Sequence, residues 1–227
     1  LGVNPHISAQ IPYAPLADFL PASNLFIVPL VVVAHPGFKP ANVRELVAEA
    51  KAKPGTVNYA SAGPGTAQHM TGELFKFMAE VNIVHIPANG TGKAVIALIS
   101  GEVQLQFGST AAITPHLKSG RMRALAVTSI EPSPLSPGLP TVTASGLPGY
   151  ESVGITGVFA PARTPAAIIN RLNQEIVRVL NRTDVKEKFL DISIEAISSS
   201  PEILAAAVNA DMDRHGKVIK ATGMHLD

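Results

Sequence analysis

Thr56-Val57-Asn58-Tyr59-Ala60-Ser61-Ala62-Gly63-Pro64-Gly65-Thr66-Ala67-Gln68-His69-Met70 is the stretch from which the rest of the chain is read. Thr56 to Ser61 is β-prone, Gly63-Pro64-Gly65 is a turn, and Thr66 opens a segment with apolar residues at Met70, Leu74, Phe75 and Met78. The order is strand, glycine loop, helix start. At such a junction the first backbone N–H groups have no intrahelical acceptor and the helix dipole is positive, so an anionic group is the natural guest. The expectation is a carboxylate or phosphate near Gly65 and Thr66.

The same alternation extends on both sides. Leu25 to Ala34 is almost wholly aliphatic and β-branched, which predicts a strand buried on both faces. Before it, Pro5, Pro12, Pro15 and Pro21 break any regular element, so 1–26 reads as a surface loop. Asn42 with Glu45 three residues on is a capping-box signature for the next helix, closed by Pro54-Gly55. After the helix at 66–79 come a strand over 81–86, a helix over 91–99, a strand over 103–107, a helix over 111–118 and a strand over 122–127. Such alternation predicts parallel pairing with right-handed crossovers. The interval 131–148 carries five prolines and no periodicity, and is a connector. Beyond it the spacing predicts a strand over 152–160 and a helix capped by Thr164, with Ile168, Ile169, Leu172, Ile176, Val179 and Leu180 inward. A short helix follows over 184–190, then a strand over 194–197. Ser200-Pro201 starts a last long helix that ends at Gly223 and carries His215 in its apolar line. The fold class is α/β, with parallel-rich sheets flanked by helices.

Composition narrows the function. Lys and Arg number 18 against 17 Asp and Glu, and aromatics make up 5%, so neither a basic footprint nor a stacking surface for nucleic acid is present. There is no cysteine, which excludes disulfides, thiolate catalysis and cysteine-ligated zinc. No apolar run approaches the length that crosses a bilayer.

In a parallel sheet the strand-to-helix loops open on one edge. That edge collects Ser61, Ala62, Gly63, Gly65, Thr66, Ala67 and Gln68, then Gly90 and Thr91, then Gly108, Ser109 and Thr110. These are the ligand-binding candidates: small uncharged residues offering backbone N–H groups, hydroxyls and an amide, with no base or nucleophile among them. No catalytic residue, metal site or cofactor is assigned. His69 and His85 have no partner at metal spacing and read as structural histidines, and Glu73 as part of a solvated helix face. Gly90-Thr91-Gly92-Lys93 fails as a phosphate loop, since Ala94 stands where Ser or Thr is needed.

The motifs carry a resemblance. Tyr59-Ala60-Ser61-Ala62-Gly63 with Gly65-Thr66 and Gln68-His69, then His85-Ile86-Pro87 before Gly90-Thr91, resemble the tripartite tricarboxylate transporter solute receptors, the TctC or Bug family of periplasmic binding proteins. Gly101-Glu102-Val103, Gly120-Arg121-Met122-Arg123-Ala124-Leu125-Ala126-Val127-Thr128-Ser129, Leu139-Pro140-Thr141-Val142, Gly146-Leu147-Pro148-Gly149-Tyr150 and Ala160-Pro161-Ala162-Arg163-Thr164-Pro165 follow in the family's order, over essentially the whole chain. The resemblance implies a two-lobed, type 2 periplasmic-binding-protein-like fold, with residues 41–148 as the second lobe and 1–40 and 149–227 forming the first. It implies a periplasmic receptor that closes on a small carboxylate, a di- or tricarboxylate or an amino acid, and delivers it to membrane permease subunits.

Three departures stand out. The family's chain usually begins well before Leu1, so the first lobe is expected to be incomplete at its N-terminus. The chain then reads as a fragment or as a short relative, with self-association through the exposed first-lobe edge as one partner class. Ala88-Asn89 replaces an aromatic and a lysine, and Gly108-Ser109 replaces Asp-Asn. The alternatives are a ligand-sensing module of a regulator and an α/β enzyme acting on a phosphorylated substrate.

Overall fold

The computed structural model describes residues 11–223 except Leu16. It divides into two compact units, one of the described residues up to Val28 with those from Gly154 onward, the other of Pro29–Val153. The first strand, β1 (Phe19–Ala34), supplies residues to both.

Pro29–Val153 holds the predicted alternation: α1 (Val43–Ala52), β2 (Asn58–Ser61), α2 (Ala67–Ala79), β3 (Val84–Pro87), α3 (Thr91–Ile99), β4 (Leu105–Ser109), α4 (Thr110–Lys118) and β5 (Arg123–Val127). Its sheet runs β3-β2-β4-β1-β5. β2 pairs in parallel with β3 and β4, as the alternation predicted, while β1 runs antiparallel to β4 and β5, so the sheet is mixed. β4 and β5, joined by α4, both run opposite to β1, which lies between them.

One face of this sheet packs Val31, Val33 and Ala60 against Ala94, Val95 and Leu98 of α3 and Ile113 of α4. The other face is aromatic: Phe107 meets Tyr59 edge-on at 5.7 Å and Phe75 at 5.8 Å, and Phe75 meets Tyr150 at 6.0 Å. Each large side chain withdrawn from water here contributes about 1.5–3 kcal/mol. α1 is closed as its capping signature predicts, with Glu45 N–H donating to Asn42 Oδ1 at 2.9 Å and Ala41 N–H to Glu45 Oε2 at 2.8 Å. The proline-rich interval forms no helix or strand, yet is tied down where Val142 N–H donates to Val127 O at 2.9 Å.

The other unit pairs the first part of β1 with β6 (Val153–Pro161) and β7 (Glu195–Ala196), and carries α5 (Ala166–Leu180), α6 (Thr183–Asp191) and α7 (Pro201–Thr222). Three readings are corrected here. The loop expected up to residue 26 is strand from Phe19, although residues 1–10 lie outside the described set. Pro21 and Pro29 sit within β1, each withholding only its own N–H. Thr164 does not cap α5: its N–H closes a turn on Pro161 O at 2.9 Å, and Pro165 holds the cap position, consistent with proline driving its predecessor out of the helical region. Of the α5 residues expected inward, Ile169 and Leu180 are buried, while Ile168, Leu172 and Val179 are exposed among the described residues. α7 behaves as read, with Ser200 as cap, Leu204, Val208, His215 and Ile219 buried, and Gly223 left-handed at its end.

Candidate functional site

Because β3, β2 and β4 are parallel neighbours, the loops that follow them leave the same edge of the sheet. The loops after β2 and β3 are locked together, Ala88 N–H donating to Ser61 O at 3.0 Å and Gly90 N–H to Ala62 O at 2.8 Å. Gly63 at φ 143° and Gly90 at φ 130° adopt backbone that a side chain would strain, which is why glycine stands at both. The structure thus brings Ser61 to Gln68 together with Gly90 and Thr91, and sets Gly108, Ser109 and Thr110 at the end of the adjacent strand.

The loop consumes several of its own donors. Ala62 N–H goes to Gln68 Oε1 at 2.7 Å, Gly63 N–H to Ser61 Oγ at 3.1 Å and Gly65 N–H to His69 Nδ1 at 3.0 Å. Thr66 caps α2, its hydroxyl donating to Gly63 O at 2.7 Å and accepting from His69 N–H at 3.4 Å. Among the described residues the amides of Ala67 and Gln68 have no acceptor, so the free donors lie one step beyond Gly65 and Thr66. With Gln68 Oε1 committed to Ala62, the amide NH2 of this 6% exposed side chain is left as a further donor. At α3 the cap is Gly90, which has no side chain to offer, and the first backbone bond arrives only at Ala94. Among the described residues the amides of Thr91, Gly92 and Lys93 therefore have no acceptor in the first turn.

Beneath the loop lies a buried polar cluster that the sequence did not reveal. The His69 and His85 rings stack with centroids 3.9 Å apart and planes 19° from parallel. Ser61 Oγ lies 2.6 Å from His85 Nε2, and Tyr59 O–H donates to Glu73 Oε1 at 2.7 Å. Glu73 is 4% exposed, not solvated as read, and Lys76 Nζ balances it at 2.9 Å. Burial lowers the pKa of His69 against the opposing pull of Glu73, and burial with the neighbouring His69 brings His85 down to about 4. Burial, with Glu73 beside it, pushes the Tyr59 phenol up. All three groups are uncharged near neutrality. The Ser61–His85 contact resembles a nucleophile with its base, but Ser61 is 0% exposed and its hydroxyl lies between His85 and the Gly63 backbone.

Gln106 of β4 and the Thr110 hydroxyl were differently legible. Thr110 was read as a site residue, and it is 6% exposed with no partner for its hydroxyl among the described residues. Gln106 was missed. It is fully buried, both its amide atoms are unpaired among the described residues, and its carboxamide carbon lies 3.9 Å from where a Cβ on Gly108 would stand, so it runs toward the loop edge. A lone Gln in the strand pattern Leu105-Gln106-Phe107 was the available signal. Among the described residues no cluster of His, Cys, Asp or Glu could hold a metal ion.

Residues 1–224 match the model of the TctC family, described as the tripartite tricarboxylate transporter family receptor. A Pseudomonas sp. (strain P51) protein encoded in the tcbD–tcbE intergenic region is 34% identical over 92% of this chain, and the match spans 63% of that protein's length. Among solved structures, an R. palustris protein with adipate is 30% identical with a TM-score of 0.79, covering 99% of this chain and 75% of that one. MatC from Rhodopseudomonas palustris with bound malate is 28% identical with a TM-score of 0.73, covering 96% and 75%. Among the described residues no helix is long and apolar enough to cross a membrane.

Proposed function

The chain belongs to the tripartite tricarboxylate transporter receptor family, and from that premise we propose that it is a periplasmic solute receptor for a small carboxylate, which it hands to the permease subunits of a membrane transporter. The family is one of receptors, not enzymes. The observation that carries the ligand class is the donor set at the loop edge. Ala67 N–H, Gln68 N–H and the Gln68 amide group stand free at the positive end of α2, with the open first turn of α3 hydrogen-bonded alongside. None of the loop residues carries an acidic side chain. Free N–H donors with no carboxylate among the loop side chains favour a carboxylate ligand and disfavour an ammonium group. Relatives with adipate and with malate support a dicarboxylate of four to six carbons.

Calorimetry with malate, succinate, adipate and their diamides tests this. Dicarboxylates are expected to bind and diamides not. Gln68→Glu, which sets a like charge where the amide donor stood, is expected to weaken dicarboxylate binding by about 1.5–3 kcal/mol, the scale of a hydrogen bond to a charged group. Undiminished affinity in that variant refutes the placement.

A further inference from the structure

We propose that His69 is the positioning residue of the anion loop and that its neutral imidazole acts as a proton-controlled latch, so that taking up a proton there releases the loop and lowers affinity for the carboxylate. The inference deepens the receptor reading and rests on it.

The bond from Gly65 N–H to His69 Nδ1, 3.0 Å, requires a lone pair on that nitrogen. The ring proton must then sit on Nε2, which faces Glu73 Oε1 at 3.8 Å. A second proton has only Nδ1 to occupy, where an N–H would point at the N–H of Gly65. Two donors cannot share that contact, so Gly65 must turn away. Gly65 is the last residue before the cap Thr66, whose hydroxyl holds Gly63 O, and the free amides of Ala67 and Gln68 follow directly. Disturbing Gly65 therefore disturbs the donors that meet the ligand.

The groups around the ring decide where a proton goes. On α2, Glu73 favours a charged His69 and Lys76 opposes it. From β3, the His85 ring is stacked against it at 3.9 Å, so charging one ring discourages charging the other. From β2, Tyr59 carries no charge, and its hydroxyl meets Glu73 and the His69 backbone carbonyl rather than either histidine ring. Burial brings His85 far down, and His69 beside it adds to that, whereas Glu73 offsets part of the burial of His69, so His69 takes the first proton. His85 can keep its bond to Ser61 Oγ whether neutral or charged, because Nε2 serves as acceptor in one state and donor in the other. The latch is thus His69, with burial holding it open to protonation only on the acid side of an ordinary imidazole.

The test uses the intact chain. Glycine-15N and histidine ring signals of the free protein are followed by NMR from pH 8 to pH 4.5, with circular dichroism confirming the fold at each point. Gly65 N–H and the His69 ring are expected to shift with one midpoint. His69→Asn puts an amide oxygen where Nδ1 stood but cannot titrate; in it the Gly65 signal should stay fixed. His85→Gln, which keeps an atom for Ser61, should leave the Gly65 transition in place. In parallel, adipate affinity should fall about tenfold more on acidification in the wild type than in His69→Asn, ligand protonation being common to both. A Gly65 signal that holds still while His69 titrates, or that moves unchanged in His69→Asn, overturns the latch; should that variant not fold, the wild-type titration decides. If adipate binds at no pH while Gly65 titrates with His69, the ligand reading fails and the latch stands.

Discussion

Gly72 is the position where the packing beneath the loop is most sharply testable. It lies in α2, and an ideal Cβ there would stand 2.3 Å from Tyr59 Cε2, 2.5 Å from Cζ and 2.9 Å from the phenolic oxygen. Carbon atoms in contact rest about 3.5–4 Å apart, so in Gly72→Ala the ring must retreat by about 1 Å or more. It has little room: Tyr59 is fully buried, with Phe107 edge-on to it at 5.7 Å and His85 at 5.0 Å. Overpacking of this kind costs about 1–3 kcal/mol, and a rigid enclosed ring belongs at the upper end. Moving the phenol also strains its 2.7 Å bond to the buried Glu73, a charged partnership worth about 1.5–3 kcal/mol. Against these stands the better helix propensity of alanine, about 1 kcal/mol. The net loss is about 3 kcal/mol, or a fall of about 6–12 °C in Tm for a chain of this size. Thermal denaturation by circular dichroism measures it. Removing the ring should remove the clash, so Gly72→Ala combined with Tyr59→Leu is expected to lose less than the two single losses added together. A Gly72→Ala protein as stable as the wild type, or strict additivity in the double variant, refutes the account of why glycine is required in this helix.

The remaining predictions concern charge. Both histidines are lowered in the folded state, so between their folded values and the ordinary value near 6.5 the unfolded chain binds more protons. Their contribution to stability is therefore full above about pH 6.5 and declines as pH falls below it, the share of His85 being lost by about pH 4. Urea denaturation at pH 7.5, 6 and 5 should show the decline, with a shallower one in His85→Gln; equal slopes would remove His85 from the explanation. Asn89 stands at φ 52°, a left-handed conformation that asparagine tolerates and lysine adopts less readily, at the position where relatives are expected to carry a cation. Asn89→Lys should tighten adipate binding about fivefold at low salt, lose that gain in 0.5 M NaCl, and lower stability by about 1 kcal/mol. Tightening that persists in high salt would show that the introduced side chain acts other than through its charge.

What was legible in the sequence was whatever a local pattern fixes. Asn42 with Glu45, Ser200-Pro201 and the terminal Gly223 mark helix ends through backbone groups within a turn of themselves, and all three stand where read. The glycines at 63, 65 and 90 announce a backbone that other residues strain, so the loop edge was readable before any coordinates. Long-range facts were not. The antiparallel course of β1 depends on β4 and β5, which come some 70 residues or more later in the chain. The misreading of Glu73 is the more instructive case: an acidic residue within a helix is usually solvated, and only the Tyr59 phenol and Lys76 ammonium brought against it make burial tolerable. Gln68 and His69 were adjacent letters of one motif, yet nothing in their spacing says that one accepts from Ala62 and the other from Gly65.

Those two bonds alter what a glycine loop at a helix start means in this protein. Taken alone, such a loop is a set of open amides whose geometry the ligand itself must impose, at the cost of ordering it. Here Gln68 and His69, both within the first turn of α2 and both nine-tenths buried, reach back and hold Ala62 and Gly65 before any ligand arrives. The loop gives up two donors and in return fixes those that remain, so a ligand bound there as proposed would meet donors already ordered. The arrangement places a titratable ring among the fixings, where an amide would hold Gly65 equally well at every pH. Glutamine occupies the neighbouring position and does that work for Ala62. Two side chains in one turn thus perform the same task, one indifferent to protons and one sensitive to them. Comparing their substitutions at a single pH would miss the difference, and comparing them across pH isolates what the histidine adds.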